Sequence, residues 1–241
     1  MTHDGTTPDA PEAPVADGGA AVAPILAVPV LSTAGTVVFP GMRCLVRLRT
    51  PRALAAVRAA LISREPAPIA VFAVRERGSP EAADGLFDVG TAVRVIGGGA
   101  LDGGGAWAAE IEAVGRVRAV SFVELGDHLA AELEALDDPP ESHAALGALS
   151  TALRDASLKM AQRFPACART RRAVSRVLST DDASGLAGAA AGLIAHLAVA
   201  TRQQILQTAP LSARLEAILC EIHTHLAIDE AHRPGRSRLL Q

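Results

Sequence analysis

The sequence predicts an α+β fold in which a β-rich half with one inserted helix is followed by a helical bundle. Three observations carry this. Short runs rich in Val, Ile and Phe alternate with turn clusters up to about residue 136, and helical spacing replaces them afterwards. Charge changes sign at the same place: residues 25–142 hold 15 acids and 11 bases, whereas 143–241 hold 7 acids and 12 bases. Between the two lies Asp137-Asp138-Pro139-Pro140, a sequence that neither continues a strand nor starts a helix early. With 241 residues, 49% of them hydrophobic, the chain has enough apolar surface for a core.

The expected organisation is therefore an acidic tail over 1–24, a β-rich part over 25–138, a helical part over 143–232 and a short tail over 233–241. The first segment has four acids (Asp4, Asp9, Glu12, Asp17), no Lys or Arg, and much Pro, Gly and Ala, the composition of a disordered tail. It lacks the positive start and apolar run of a signal peptide. Strands are predicted at 27–31, 43–49, 69–74, 89–96, 107–114, 116–124 and 129–136. Gly90 inside a strand predicts a bulge or bend. Asp102-Gly103, within a glycine-rich loop, has the chemistry of a hairpin turn. One helix interrupts the strands over 51–63, with Thr50 placed to cap it and Pro51 suited to its first position. Phe39-Pro40-Gly41 reads as an extended segment that turns sharply.

In the second half, helices are predicted at 144–163, 170–178, 183–200, 201–207 and 211–229. Asp182 or Ser184 is placed to cap the third, Pro210 separates the last two, and Pro234-Gly235 ends the final one. The segment 183–200 has no acid, Lys or Arg, but it is nearly half alanine and contains three glycines. Ala and Gly drive membrane insertion weakly, so it reads as a buried soluble helix whose Gly188 and Gly192 allow close approach of a neighbour.

Catalytic patterns are missing from the sequence. There is no Walker A loop, and Lys159, the only lysine, has the wrong neighbours for one. The glycine-rich stretch 97–105 joins two strands and does not open a helix, so it is not a dinucleotide fingerprint. Neither a G-x-S-x-G elbow nor an H-E-x-x-H helix occurs. No catalytic residue, cofactor or metal is assigned. Glu221, His223, His225, Asp229 and His232 form the best metal-like group, since 225, 229 and 232 share a helix face. They read more simply as a solvated helix end. Arg163, Arg169, Arg171, Arg172 and Arg176 likewise read as a solvated basic face beside Pro165. The preference for Arg over Lys is read as compositional bias. Aromatics at 2% and an acidic β-rich half argue against a nucleic-acid surface. Cys44, Cys167 and Cys220 are too scattered for a disulfide framework and fit reduced thiols in a cytoplasmic protein.

Several ordered motifs resemble one family. Val28-Pro29-Val30-Leu31 followed by Thr36-Val37-Val38-Phe39-Pro40-Gly41-Met42 resembles the opening "P-L-x-x-x-V-V-x-P-x-M" of the Lon protease N-terminal domain. The run from Leu86-Phe87-Asp88-Val89-Gly90-Thr91 to Ile96 is similar to its "L-F-x-V-G-T-x-A-x-I", and Val114-Gly115-Arg116-Val117-Arg118 to its "x-G-x-x-R-x". Downstream, Leu178-Ser179-Thr180-Asp181-Asp182 to Ala187 resembles "I-D-D-P-x-R-L-A-D". Ala195-His196-Leu197 stands for "A-x-H", and Ile205-Leu206-Gln207 to Arg214-Leu215 for the following helix.

The resemblance implies a PUA-like β pseudo-barrel followed by a helical bundle. It also implies a non-catalytic domain that binds unfolded or damaged polypeptides, or a full-length Lon-type protease, in protein quality control. In a full protease the last helix would continue into a coiled-coil arm, an ATPase and a Ser–Lys protease. Here Pro234-Gly235 interrupts it, so the expectation is a stand-alone module, as a monomer or weak dimer. Phe39, Pro40, Met42, Phe72 and Trp107 are the expected peptide-binding residues, because a client site needs exposed apolar side chains. A PUA-like nucleic-acid module and a scaffold for one folded partner are the alternatives.

Overall fold

The computed structural model describes residues 27–62, 68–75, 82–101 and 107–231. The acidic tail, the Asp102-Gly103 turn, His232 and Pro234-Gly235 lie outside these residues. Six strands form one sheet: β1 (Val28–Thr33), β2 (Arg43–Leu48), β3 (Ile69–Ala73), β4 (Val89–Ala100), β5 (Trp107–Leu125) and β6 (His128–Ala135). Their order is β2-β5-β4-β3-β1-β6, and β6 pairs back onto β5, which closes the sheet into a barrel and leaves β2 outside the closure. Only β1 and β3 run parallel.

Two of the predicted strands are one. The segments 107–114 and 116–124 join through Gly115 into the 19-residue β5. Its register against β4 shifts between Ala92 and Val93, opposite Gly115 and Ala113, and against β6 between Ala119 and Ser121. The skipped residues, Val114 and Val120, point to solvent. These bulges bend β5 enough to serve β2 with one end and β6 with the other. Gly90 is not at a bulge. A Cβ there would lie 2.4 Å from the Val71 carbonyl oxygen and 2.6 Å from the Phe72 ring, so glycine allows close strand packing.

Helix α1 (Pro51–Ile62) starts where predicted, with Thr50 Oγ1 accepting from the Ala53 N–H at 3.1 Å. Ala53, Ala56, Val57 and Ala60 recur at i, i+3, i+4 and i+7 and turn inward. Ala53, Val57 and Ala60 join Leu31, Val46, Ile69, Val93 and Ile111 in the barrel interior, which α1 therefore plugs. Phe72 packs with Val30, Leu86 and Leu129 in a separate cluster, its ring meeting Phe122 edge-on at 5.2 Å.

The helices are α2 (His143–Arg163), α3 (Ala168–Ser179), α4 (Ala183–Ala191), α5 (Val199–Gln207) and α6 (Leu211–Ala231). Asp182 caps α4 by accepting from Gly185 N–H, and Ser142 caps α2 by accepting from Ala145 N–H at 3.2 Å. The predicted helix 183–200 is corrected: it ends at Ala191, and 192–198 form tight turns before α5. The break falls at Gly192, and beyond it the Arg202 Nε donates to the Leu197 carbonyl at 3.1 Å, which satisfies an acceptor in the turns before α5. Leu193 and Ile194, within the turns, are buried in the helical core. Among the described residues no helix is long and apolar enough to cross a membrane.

Strand and helix halves share a core. Val37, Phe39, Ala73 and Val89 sit among Leu153, Met160, Val177, Leu186, Ile194, Leu215 and Ile218.

Candidate functional site

The predicted turn at Phe39-Pro40-Gly41 is present and anchors the site. Gly41 has φ +80° and the Met42 N–H donates to the Phe39 carbonyl at 3.1 Å, a type II turn. The turn presses directly onto α4. A Cβ at Gly188 would lie 2.0 Å from the Pro40 oxygen, and one at Gly41 would lie 2.5 Å from Gly185 Cα. Glycine at both surfaces is therefore what allows the β1–β2 connection to seat on the helices. Gly192 faces Ala173 of α3 instead, at 3.1 Å. The two glycines predicted to admit one neighbouring helix admit two different neighbours.

Beyond this contact a cleft of about 280 Å³ opens between β2 and helices α3 and α4. Met42, Arg43, Cys44 and Leu45 form one wall, consecutive residues along the outer edge of β2. Within the described sheet β2 pairs only with β5, so this edge has no strand partner. Arg169, Arg172, Ala173 and Arg176, spaced i, i+3, i+4 and i+7 on α3, form the opposite wall. Gly188, Ala189, Gly192 and Ala195 make a smooth floor. Leu45 is 60% exposed on a strand whose outward positions are otherwise Arg43 and Arg47. Arg43 pairs with Glu110 at 2.8 Å. Among the described residues Arg169, Arg172 and Arg176 make no ion pair, although the Arg172 Nε donates to the Ala168 carbonyl at 3.3 Å, so the helical wall presents three guanidinium charges without a carboxylate partner. Cys44 is half-buried, and burial pushes its thiol above the ordinary value, with Arg176 opposing.

Of the five residues expected to bind peptide, only Met42 lines this cleft. Phe39 and Phe72 are completely buried, in different clusters, because the first plugs the joint between the halves and the second packs under β4. Pro40 is buried against α4. Trp107 is 38% exposed with Arg58 5.9 Å over its ring, but it opposes Leu48 at the other end of β2. The expected single apolar patch is thus not formed. The basic group also divides. Arg163 pairs with Asp229 of α6, Arg171 faces solvent, and the other three reach the cleft. Leu45 was legible as the one apolar residue among outward arginines on β2, a signal that patterning alone carries.

Two members of the acidic and histidine group, His225 and Asp229, serve packing, while His223 is exposed. The His225 ring lies 5.1 Å from Phe164 and 4.3 Å from His196, while Asp229 is taken by Arg163. Among the described residues no three His, Cys, Asp or Glu side chains converge on a metal position. Desolvation, helped by the facing His225, holds His196 below the usual imidazole value. His196 borders a second cavity, of about 480 Å³, together with Gly35, Arg75, Val199 and Arg202.

The cleft has β2 on one side and helices on the other, so its shape depends on how the halves are fixed. Three buried arginines fix them, and the sequence did not reveal any. Arg116 of β5 donates to the carbonyls of Leu206 and Thr208 at 3.3 and 3.2 Å and to Asp138 at 2.7 Å. Arg214 of α6 donates to Asp138 at 2.9 Å and to the Thr208 carbonyl at 2.8 Å. Arg202 of α5 reaches the Gly35 carbonyl at 2.9 Å, and Gln203 Nε2 reaches the Val89 carbonyl at 2.7 Å. Burial and the neighbouring Arg214 lower the pKa of Arg116, with Asp138 opposing them.

A closed barrel plugged by a helix is joined through buried arginines to a helical bundle, with a cleft at the joint. The chain belongs to the family described as the ATP-dependent protease La (LON) substrate-binding domain, which matches residues 27–224. It is 28% identical over 210 residues to Lon protease 2 of Thermus thermophilus, an alignment covering 85% of this chain and 25% of that protein. The chain thus spans about a quarter of the length of that relative. Its fold is that of the N-terminal domain of the Mycobacterium avium complex Lon protease, with a TM-score of 0.66 at 24% identity over 83% of this chain and 100% of that one. A Lon N-terminal domain protein from Xanthomonas campestris aligns with a TM-score of 0.55 at 21% identity, covering 81% of this chain and 98% of its own. Family membership supports a polypeptide-binding role in proteolysis.

Proposed function

We propose that this chain is a non-catalytic, cytoplasmic module that captures extended segments of unfolded polypeptide in the cleft beside β2 and serves a Lon-type protease in quality control. One observation carries the reading: a strand edge with no partner among the described residues runs along a cleft with a smooth, small-residue floor. An extended segment adding to such an edge gains main-chain hydrogen bonds whatever its sequence, while side chains at alternate positions meet Leu45, Met42 and the floor. That chemistry suits a receptor for many clients. In this reading the β-rich part, 25–138, and the helical part, 143–232, act as one unit, because each contributes one wall. The unit acts as a monomer or weak dimer.

The test is binding of a fluorescent, permanently unfolded polypeptide, with a folded protein as control and salt varied to separate apolar from charged contact. Selective binding that survives salt and weakens roughly 3- to 10-fold in Leu45→Asn is expected, in line with about 0.7–1.4 kcal/mol for a leucine that a client covers only in part. Equal binding by wild type and variant would remove the cleft from the proposal. A second assay adds the protein to a full-length Lon enzyme, and unchanged client degradation would remove the protease partner.

A further inference from the structure

We infer that the cleft has an occupant within the chain: the acidic segment 1–24 seats along the α3 arginines and competes with clients. This rests on reading the cleft as the polypeptide site and adds a regulator to it. Charge complementarity is the first support. The segment holds Asp4, Asp9, Glu12 and Asp17 with no Lys or Arg. The helical wall holds Arg169, Arg172 and Arg176, which make no ion pair among the described residues and project into the cleft from one helix face. Arginine matches carboxylates through paired donors, so a sparse acidic segment is a suitable ligand.

Steric fit is the second support. The floor of Gly188, Ala189, Gly192 and Ala195 lacks any deep apolar pocket, and it suits the Ala, Pro, Gly and Val that fill 1–24 better than bulky side chains. Reach is the third. The described chain starts at residue 27, beside β1, and twenty residues of chain can span at most about 65 Å. A body of this size has a radius of gyration of about 18 Å, so the cleft is within reach. Tethering puts the segment at an effective concentration in the mM range, so weak contacts are enough for substantial occupancy.

Occupancy of this kind makes client binding conditional. A client must displace the segment, and added salt or removal of its charges vacates the cleft. General repulsion of acidic clients by a −4 segment would give part of the same behaviour, so the probe must carry no net charge.

The experiment compares the full chain with a full-length variant carrying Asp4→Asn, Asp9→Asn, Glu12→Gln and Asp17→Asn. The affinity of a net-neutral, permanently unfolded polypeptide is measured for each, and a labelled synthetic peptide of residues 1–24 is titrated in trans. Expected results are a rise in affinity for the neutral probe of roughly 3- to 10-fold on neutralising the segment, the scale set by a weak tethered competitor. The peptide should bind the neutralised variant, displace the neutral probe, and lose binding when Arg169, Arg172 and Arg176 are changed to Gln. These three positions are exposed apart from their place in the cleft, so the folded state is kept and thermal unfolding confirms it. No rise for the neutral probe, or peptide binding that ignores the three arginines, overturns the inference. If the neutral probe binds neither protein, the polypeptide-receptor reading fails on its own, and the trans peptide still decides whether the segment has a seat.

Discussion

Replacing Asp138 by Ala should uncouple the two halves. Its carboxylate accepts from Arg116 at 2.7 Å and from Arg214 at 2.9 Å, and the side chains of those arginines are only 3% and 2% exposed. Asp138 itself is 24% exposed, so water can partly replace it. Removing one member of a buried charged group costs about 3–5 kcal/mol because the rest stays uncompensated. Solvent access at Asp138 and the carbonyls of Leu206 and Thr208, which continue to accept from the arginines, place the expected loss at the lower end, about 3 kcal/mol. For a chain of this length that corresponds to about 6–12 °C in Tm. Asp138→Asn, which keeps an acceptor but not the charge, should lose about half as much. The assay is urea unfolding followed by two probes. Far-UV circular dichroism is dominated by the helical half, and fluorescence comes from Trp107 in β5, the only tryptophan. In wild type the two transitions should coincide, and in Asp138→Ala they should separate. A loss below about 1 kcal/mol, the scale of an exposed pair, would refute the reasoning.

Three further outcomes follow from named contacts. Gly188→Ala gains helix propensity but puts its Cβ on the Pro40 carbonyl, so a net loss of about 1–3 kcal/mol is expected in denaturant melts. Gly192→Ala, facing a Cβ at 3.1 Å, should lose less. In timed alkylation near pH 7.5, Cys167 should react first and Cys44 last. Hydrogen bonding with Thr170 lowers the Cys167 thiol pKa at an exposed position, whereas burial raises that of Cys44. His196 is held below its unfolded value, so the unfolded chain binds more protons between the two pKa values. Its contribution is therefore present above pH 6.5 and is lost as pH falls through that window. The Tm difference between pH 7.5 and pH 5 should shrink in His196→Gln.

Local chemistry was legible in the sequence wherever one residue type decides it. Thr50 and Asp182 cap as read, the turn at Phe39-Pro40-Gly41 forms, and the change from strands to helices falls at Asp137–Pro140. Features that depend on what lies opposite were not legible. Whether Gly115 ends a strand or carries it through a bend depends on β4 and β6, and the turns after Ala191 bury Leu193 and Ile194 in a core that both halves build. The site suffered most from this. Phe39 and Phe72 are large and apolar, and large apolar side chains in a chain with 2% aromatics are what the core takes first. The cleft is built from small residues and arginines, which composition alone does not mark as lining a cleft.

The arginines join the two problems. A preference of 22 Arg to one Lys reads as bias in a count, but the positions separate it into two physical tasks. Arg116, Arg202 and Arg214 are buried and spread their planar donors over carbonyls from Gly35, Leu197, Leu206 and Thr208. An ammonium is a compact, strongly hydrated charge and cannot bridge carbonyls on two elements with one rigid fork. Arg169, Arg172 and Arg176 stay at the surface, on the wall that the buried three hold opposite β2. The excess of base in the helical half is thus partly internal scaffolding and partly the face of the cleft. Net charge sums the two, which is why the +5 of residues 143–241 pointed to no partner. A polypeptide approaching the joint meets only the second set, against a strand edge whose own Arg43 is already paired with Glu110. The polarity of the cleft, basic on the helical side and neutral along the edge, therefore follows from which arginines the fold consumes.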